Sequence, residues 1–162
     1  MAMVRSARER PPILMSEPDL MSEPDNLVLA RRVMDELFNT GNLSVADELF
    51  AADVVDHGAP PGLQSRGRDG VKESVANLHL AFPDIQYVIE DEWAIDDLVI
   101  HRTTGRGTMR GEYLGFAPTG RGAEWPGIHI LRFADGRIVD HWGVGDRLSM
   151  MQQLGIVPVH EA

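Results

Sequence analysis

The chain has 162 residues, no cysteine and a formal net charge of −10 at pH 7. This length predicts one domain large enough to bury a core, and the missing cysteines exclude a disulfide scaffold, a thiolate metal site and a catalytic thiol. The acidic surface disfavours nucleic acid and anionic membranes as partners, because like charges repel. Neither a spanning apolar run nor the apolar region of a signal peptide is visible, which favours a cytoplasmic location.

Composition predicts three segments along the chain. Residues 1–25 are rich in proline and charge, repeat the sequence MSEPD and show no apolar period, so we expect a disordered tail there. Residues 26–157 carry the regular apolar patterns of a folded α+β domain. Residues 158–162 form a short C-terminal tail, in which His160 is expected to be exposed.

Helical patterns come first in the folded segment. Apolar residues recur at intervals of three and four over 27–38, and Gly41 can end that helix. A shorter amphipathic stretch follows over 43–50. A third helix is expected over 66–82, since Pro83 stops it.

The apolar period changes to two after Pro83, which indicates strands. Five strands are expected in all, beginning near residues 53, 85, 98, 125 and 138. Asp135-Gly136 predicts a tight hairpin turn between the last two, and a short helix over 148–154 closes the domain. Helices followed by long strands indicate an α+β fold: a cone-shaped, curved antiparallel sheet closed by the N-terminal helices, with an apolar interior pocket.

Two of the six histidines, His129 and His141, are expected to share that pocket. His129 lies on the alternating apolar face of its strand, and His141 lies on the strand joined to it by the hairpin turn. An imidazole that titrates near neutral pH is the kind of base such a pocket needs. His57 directly follows Asp56, whose carboxylate could tune it, although neighbouring residues on a strand point to opposite faces.

The roles of the other polar candidates stay open. Asp146 precedes the closing helix, so it could cap that helix, or it could act as a general acid/base beside apolar residues that raise its pKa. His79 is expected to be structural, and the facing of His101 is undetermined. The spacing of the histidines and aspartates supports no metal site.

Several motifs coincide with the pattern of one known family. They are GEYLGFAPTGR at 111–121, DGRIVDHW at 135–142, Asp146, QQLG at 152–155, and, upstream, FNTG at 38–41 and AFPD at 81–84. On these motifs, the segment over 27–155 resembles the SnoaL-like polyketide cyclases of the nuclear-transport-factor-2-like superfamily.

The resemblance implies both a fold and a chemistry. The family's fold is a cone-shaped α+β barrel, commonly dimeric, with an apolar cavity. Its cyclases work without a cofactor: a base removes an acidic carbon-bound proton, and the enolate closes a polyketide ester by an intramolecular aldol reaction. His129 matches a pocket histidine of these cyclases. Their acid/base aspartate falls where this chain has Gly143, so Asp146 or a histidine would take its role.

The sequence therefore predicts an enzyme of the cyclase, isomerase or hydrolase kind that acts on an apolar carbonyl compound without cofactor or metal. The alternatives are a non-catalytic small-molecule binding protein and a hydrolase- or hydroxylase-like enzyme of the same fold. The expected partners are an apolar ligand and a second copy of the chain. The expected catalytic residues are His57, His129, His141 and Asp146. The expected walls of the pocket are Tyr113, Phe116, Trp125 and Trp142.

Overall fold

A computed structural model describes residues 23–60 and 62–159 of the chain. The predicted disorder of residues 1–22 and the predicted exposure of His160 lie outside the described residues. Helix α1 begins at Glu23 rather than at Asn26, so the last three residues of the predicted tail are helical.

The element order matches the expected succession of helices and strands. The helices are α1 (Glu23–Arg32), α2 (Ser44–Leu49), α3 (Gly67–Ala81) and α4 (Arg147–Gln153), and a π-helix (Val33–Phe38) follows α1 without a break. The strands are β1 (Phe50–Asp56), β2 (Gln86–Ile95), β3 (Leu98–Thr108), β4 (Gly122–Ala134) and β5 (Arg137–Gly145). The hairpin turn between β4 and β5 lies at Asp135-Gly136, where both residues take the positive φ that this tight turn requires.

The strands form one curved, unclosed sheet in the order β1-β5-β4-β3-β2. The expected α+β fold with a curved sheet is confirmed, and the ladders β2–β3, β3–β4 and β4–β5 are antiparallel. The pair β1–β5 is parallel instead. Its direction was not readable from the sequence, because the two strands are distant in the chain and no turn joins them.

Two apolar clusters fill the space between the helices and the inner face of the sheet. Burial alternates along β4, as expected for a strand with one face on the core. The larger cluster joins α1, the π-helix, α2 and α3 to β3, β4 and β5, and the smaller one joins the end of α3 to α4 and β4. Within residues 23–60 and 62–159, no helix is long and apolar enough to cross a membrane.

Candidate active site

A cavity of about 800 Å³ lies between the inner face of the sheet, α3 and α4. Its size is that of a small-molecule pocket. Most of its wall is apolar or aromatic, including Phe38, Val75, Leu78, Tyr87 and Trp125. The interior pocket expected from the sequence is therefore present.

Three polar side chains form a hydrogen-bonded line on one wall of this cavity. His141 Nδ1 lies 3.1 Å from Asp56 Oδ1, and His141 Nε2 lies 3.1 Å from His129 Nδ1. All three side chains line the cavity and all are buried. We call Asp56, His141 and His129 the inner triad.

The carboxylate at one end determines the direction of these hydrogen bonds. An ionised carboxylate only accepts, so His141 Nδ1–H donates to Asp56. In a neutral His141 ring, Nε2 then carries a lone pair and accepts the Nδ1–H of His129. The Nε2 of His129 is left with a lone pair, which is the state of a base.

Burial and neighbouring charge hold the inner triad in this state. Burial by itself raises the pKa of Asp56, but the hydrogen bond from His141, the attraction of that ring when it is protonated and the amide of Gly58 together hold the pKa below its ordinary value. Burial, and then the neighbouring His141 and His101, lower the pKa of His129 to about 3. His129 is therefore uncharged at neutral pH.

Gly143 makes room for the contact between the two imidazoles. It is the register partner of His129 on β5. A Cβ atom built on Gly143 would lie 3.1 Å from His141 Cε1 and 3.3 Å from His129 Nδ1. The position at which the family's aspartate is expected thus faces two histidines, and a larger side chain there would have to push the rings apart.

The π-helix carries Phe38 onto the two histidines. The Phe38 ring centroid lies 5.7 Å from that of His129 and 6.1 Å from that of His141. Short π-helices often occur at functional sites, but no local pattern in the sequence separates this one from an ordinary helix. Phe38 is a wall residue that the sequence analysis missed.

Two tyrosines supply further polar groups to the cavity. Burial raises the pKa of Tyr113, and the nearby Arg147 lowers it by less, so this side chain stays protonated at neutral pH. Burial likewise raises the pKa of Tyr87. Both hydroxyl groups can therefore donate a hydrogen bond.

The structure brings together only some of the predicted site residues. His129, His141, Trp125 and Tyr113 line the cavity, whereas His57, Trp142, Phe116 and Asp146 are not among its lining residues. Phe116 lies in an exposed turn and bridges back to Tyr113. His57 and Trp142 stack on each other, with ring centroids 4.5 Å apart.

Asp146 caps the closing helix, which was one of its two predicted roles. Its Oδ1 accepts the Ser149 amide at 2.9 Å, and the residue is exposed. Among the described residues, two carboxylates line the cavity: Asp56, which is buried, and Glu112, which is exposed. Sequence reasoning had paired Asp56 with its neighbour His57 and missed its contact with His141, which lies 85 positions away along the chain.

We expect Asp146→Asn to leave both turnover and stability unchanged, because asparagine caps a helix as well as aspartate does. Asp146→Ala should lower the free energy of unfolding by about 1 kcal/mol. Urea unfolding and turnover per folded molecule would measure both effects. A large loss of turnover in Asp146→Asn would show that Asp146 takes part in catalysis.

His101 extends the row of histidines away from the cavity. It is the register partner of His129 on β3 and is fully buried. Burial lowers its pKa, and within the described residues neither ring nitrogen has a hydrogen-bond partner. Among the same residues, no group of three or more His, Asp or Glu side chains is arranged to hold a metal ion.

The fold and the cavity define this protein as an α+β cone built to enclose a small molecule. The chain belongs to the SnoaL-like polyketide cyclase family, whose model matches residues 28–154.

Individual relatives agree with this membership. The aklanonic acid methyl ester cyclase AcmA of Streptomyces galilaeus is 30% identical over 131 residues, which cover 79% of this chain and 90% of the relative. The crystal structure of IdmH from Streptomyces antibioticus is 34% identical and covers 80% of this chain and 97% of its own, with a TM-score of 0.68. AclR from Streptomyces galilaeus is 29% identical, covers 86% and 87% of the two chains and has a TM-score of 0.73.

Proposed function

We propose that this protein is a cofactor-independent cyclase that closes an apolar polyketide ester by an intramolecular aldol reaction. The observation that carries the proposal is the inner triad. It is a hydrogen-bonded chain of acid–base groups in a largely apolar cavity, and it leaves Nε2 of His129 available to accept a proton. The curated relative AcmA is named as an aklanonic acid methyl ester cyclase. An ester of that class is therefore the substrate we propose.

His129 removes the acidic carbon-bound proton in this mechanism. With its pKa lowered to about 3 by burial and by the neighbouring histidines, His129 would be a weak base if the positive charge had to stay on its own ring. The inner triad removes this difficulty. As Nε2 of His129 takes the substrate proton, the proton on Nδ1 of His129 moves to Nε2 of His141. The positive charge then rests on His141, beside the Asp56 carboxylate.

The enolate formed in this way attacks a ketone carbonyl of the same molecule. A carbon–carbon bond forms, and the carbonyl oxygen becomes an alkoxide that takes the proton back from His129. The reaction therefore consumes no co-reactant, and the product is an isomer of the substrate. Tyr113, which lines the cavity and stays protonated, is the donor we propose for the developing oxyanion, because preorganised donors in a dry site stabilise such charge strongly.

The test is to incubate the purified protein with aklanonic acid methyl ester and to analyse the product by mass spectrometry and NMR. The proposal expects a product of unchanged mass with one ketone fewer and one new carbon–carbon bond. A gain of one water would identify a hydrolase, and a gain of one oxygen atom would identify a hydroxylase. Tight binding without any product would identify a binding protein, and each of these three outcomes would overturn the proposal.

We further propose that the protein is a homodimer through the outer face of its sheet. Trp93, Ile100, Ile130 and Trp142 are consecutive register partners, so they form one apolar row across four strands. Trp93 on this face is 49% exposed. Exposed apolar patches of this kind mark interaction sites, and a two-fold axis through the row would place each copy's row on the other.

We expect sedimentation velocity to give twice the chain mass of 17.9 kDa for the wild-type protein. Trp93→Glu should shift it to the mass of one chain, because each copy would otherwise bury an unpaired carboxylate in the interface. Leu80→Glu is the matched control, since Leu80 is an exposed apolar residue at the cavity. A monomeric wild-type protein would contradict the dimer.

A further inference from the structure

Two Asp-His dipeptides lie side by side, one at the end of β1 and one on β5. They are Asp56-His57 and Asp140-His141, and in this parallel pair Val55 lies opposite Asp140 and Asp56 opposite His141. Since successive side chains of a strand point to opposite faces, Asp56 and His141 meet on the inner face. His57 and Asp140 meet on the outer face. Each aspartate thus bonds the histidine of the other strand, once on each side of the sheet.

The pair on the outer face, His57 and Asp140, is well defined, and we call it the outer pair. His57 Nε2 donates to Asp140 Oδ1 at 2.8 Å, and the His57 ring is nearly parallel to Trp142, with 3° between the planes. The Arg132 guanidinium lies 5.2 Å from the Trp142 ring centroid and reaches Asp140 Oδ2 at 3.4 Å. Neither member of the outer pair lines the cavity.

Both backbone hydrogen bonds and side-chain contacts hold the end of β1 in place, and the Asp56 amide donates to the Ser65 carbonyl at 2.8 Å on the side away from β5. β1 is an edge strand, and its register to β5 is irregular between Phe50 and Val55. Two contacts follow at once: the His57 amide donates to the His141 carbonyl at 2.8 Å, and the Gly58 amide donates to Asp56 Oδ1 at 3.0 Å. The carboxylate of the inner triad is therefore held by the same short segment that carries His57.

We propose that the outer pair positions the inner triad. By locking His57 to Asp140 and Trp142, it keeps β1 in the register at which Asp56 accepts from His141. His57 is then a positioning residue that acts from the opposite face of the sheet. Its importance for turnover rests on the proposed function, whereas its effect on the geometry of the inner triad does not.

The first test uses turnover of aklanonic acid methyl ester by four variants. His57→Ala and Asp140→Ala should each lower kcat by about tenfold to 10²-fold with little change in KM, because small displacements of a catalytic group are costly. The double variant should be no worse than either single variant, since both break one interaction. His57→Gln should recover most of the loss, because its amide nitrogen takes the place of Nε2.

The matched control is Asp91→Asn. Asp91 pairs with Arg102 on the outer face, and its side chain is 47% exposed. Loss of this bridge should leave kcat unchanged. If the losses of His57→Ala and Asp140→Ala multiply in the double variant, or if Asp91→Asn behaves like them, the outer pair has no specific role and the inference is overturned.

The second test reads the inner triad directly and needs no substrate. In protein labelled with ¹⁵N-histidine, the His141 Nδ1 proton held by Asp56 should give a protected resonance. That resonance should broaden or disappear in His57→Ala and Asp140→Ala, and it should be retained in His57→Gln and Asp91→Asn. If aklanonic acid methyl ester is not turned over, the proposed function fails and this measurement alone decides the inference. An unchanged resonance in both disrupting variants would overturn it.

Discussion

His129→Asn is expected to lower kcat by roughly 10²–10⁴, the usual contribution of a general acid/base. The asparagine amide nitrogen occupies the place of Nδ1, so it still donates to His141 Nε2 and the rest of the inner triad persists. Only the nitrogen that we assign to proton abstraction is lost. The measurement is steady-state turnover of aklanonic acid methyl ester, with product identified as the cyclised isomer.

Asp146→Asn is the control for this experiment, because its carboxylate caps α4 and does not line the cavity. Circular dichroism of both variants would verify that the fold is retained. Wild-type turnover in folded His129→Asn would exclude His129 as the base. The next candidate for the proton acceptor would then be Asp56, which also lines the cavity.

Asp56→Asn is expected to have an effect of similar size for a different reason. An asparagine side chain carries no charge to stabilise a protonated His141, and its amide can donate to His141 Nδ1 and so reverse the tautomer. In the Ser-His-Asp triad, the equivalent replacement costs about 10⁴ in kcat. We expect a loss of roughly 10²–10⁴ here, with KM little changed, in the same assay. A variant with full turnover would show that the inner triad carries no charge during catalysis.

The same variant should change how stability depends on pH. Because the pKa of Asp56 is lower in the folded chain than in the unfolded one, the ionised carboxylate stabilises the fold above its unfolded pKa. This contribution is lost as the pH falls through the folded pKa. The difference in free energy of unfolding between wild type and Asp56→Asn should therefore be largest near neutral pH and shrink in acid. Urea unfolding at several pH values measures it.

Local patterns in the sequence were sufficient to predict most of the helices and strands. Helical spacing predicted α3 and its end before Pro83, and alternation with Asp135-Gly136 predicted the hairpin of β4 and β5. These features depend on residues close together in the chain, so they can be read from spacing alone. The hairpin also explains why His129 and His141 were correctly expected to share one cavity.

The carboxylate that contacts the histidines of the cavity could not be predicted from local patterns. The sequence suggested Asp146, which lies near the strand histidines, as the catalytic carboxylate. For Asp56 it suggested only the neighbouring His57 as a partner. The parallel pairing of β1 with β5 instead brings Asp56 to His141 and turns His57 outward. No local pattern encodes that pairing, because it joins segments on opposite sides of four intervening elements.

The sequence by itself determined the α+β class, the family and the two imidazoles, because each rests on local periodicity, a hairpin turn or a contiguous motif. Tertiary structure alone decided which carboxylate meets them and which aromatic rings enclose them. The direction and register of an edge strand are set by packing against the helices and by long-range hydrogen bonds. In a strand whose side chains alternate between faces, that register decides which residues reach the cavity.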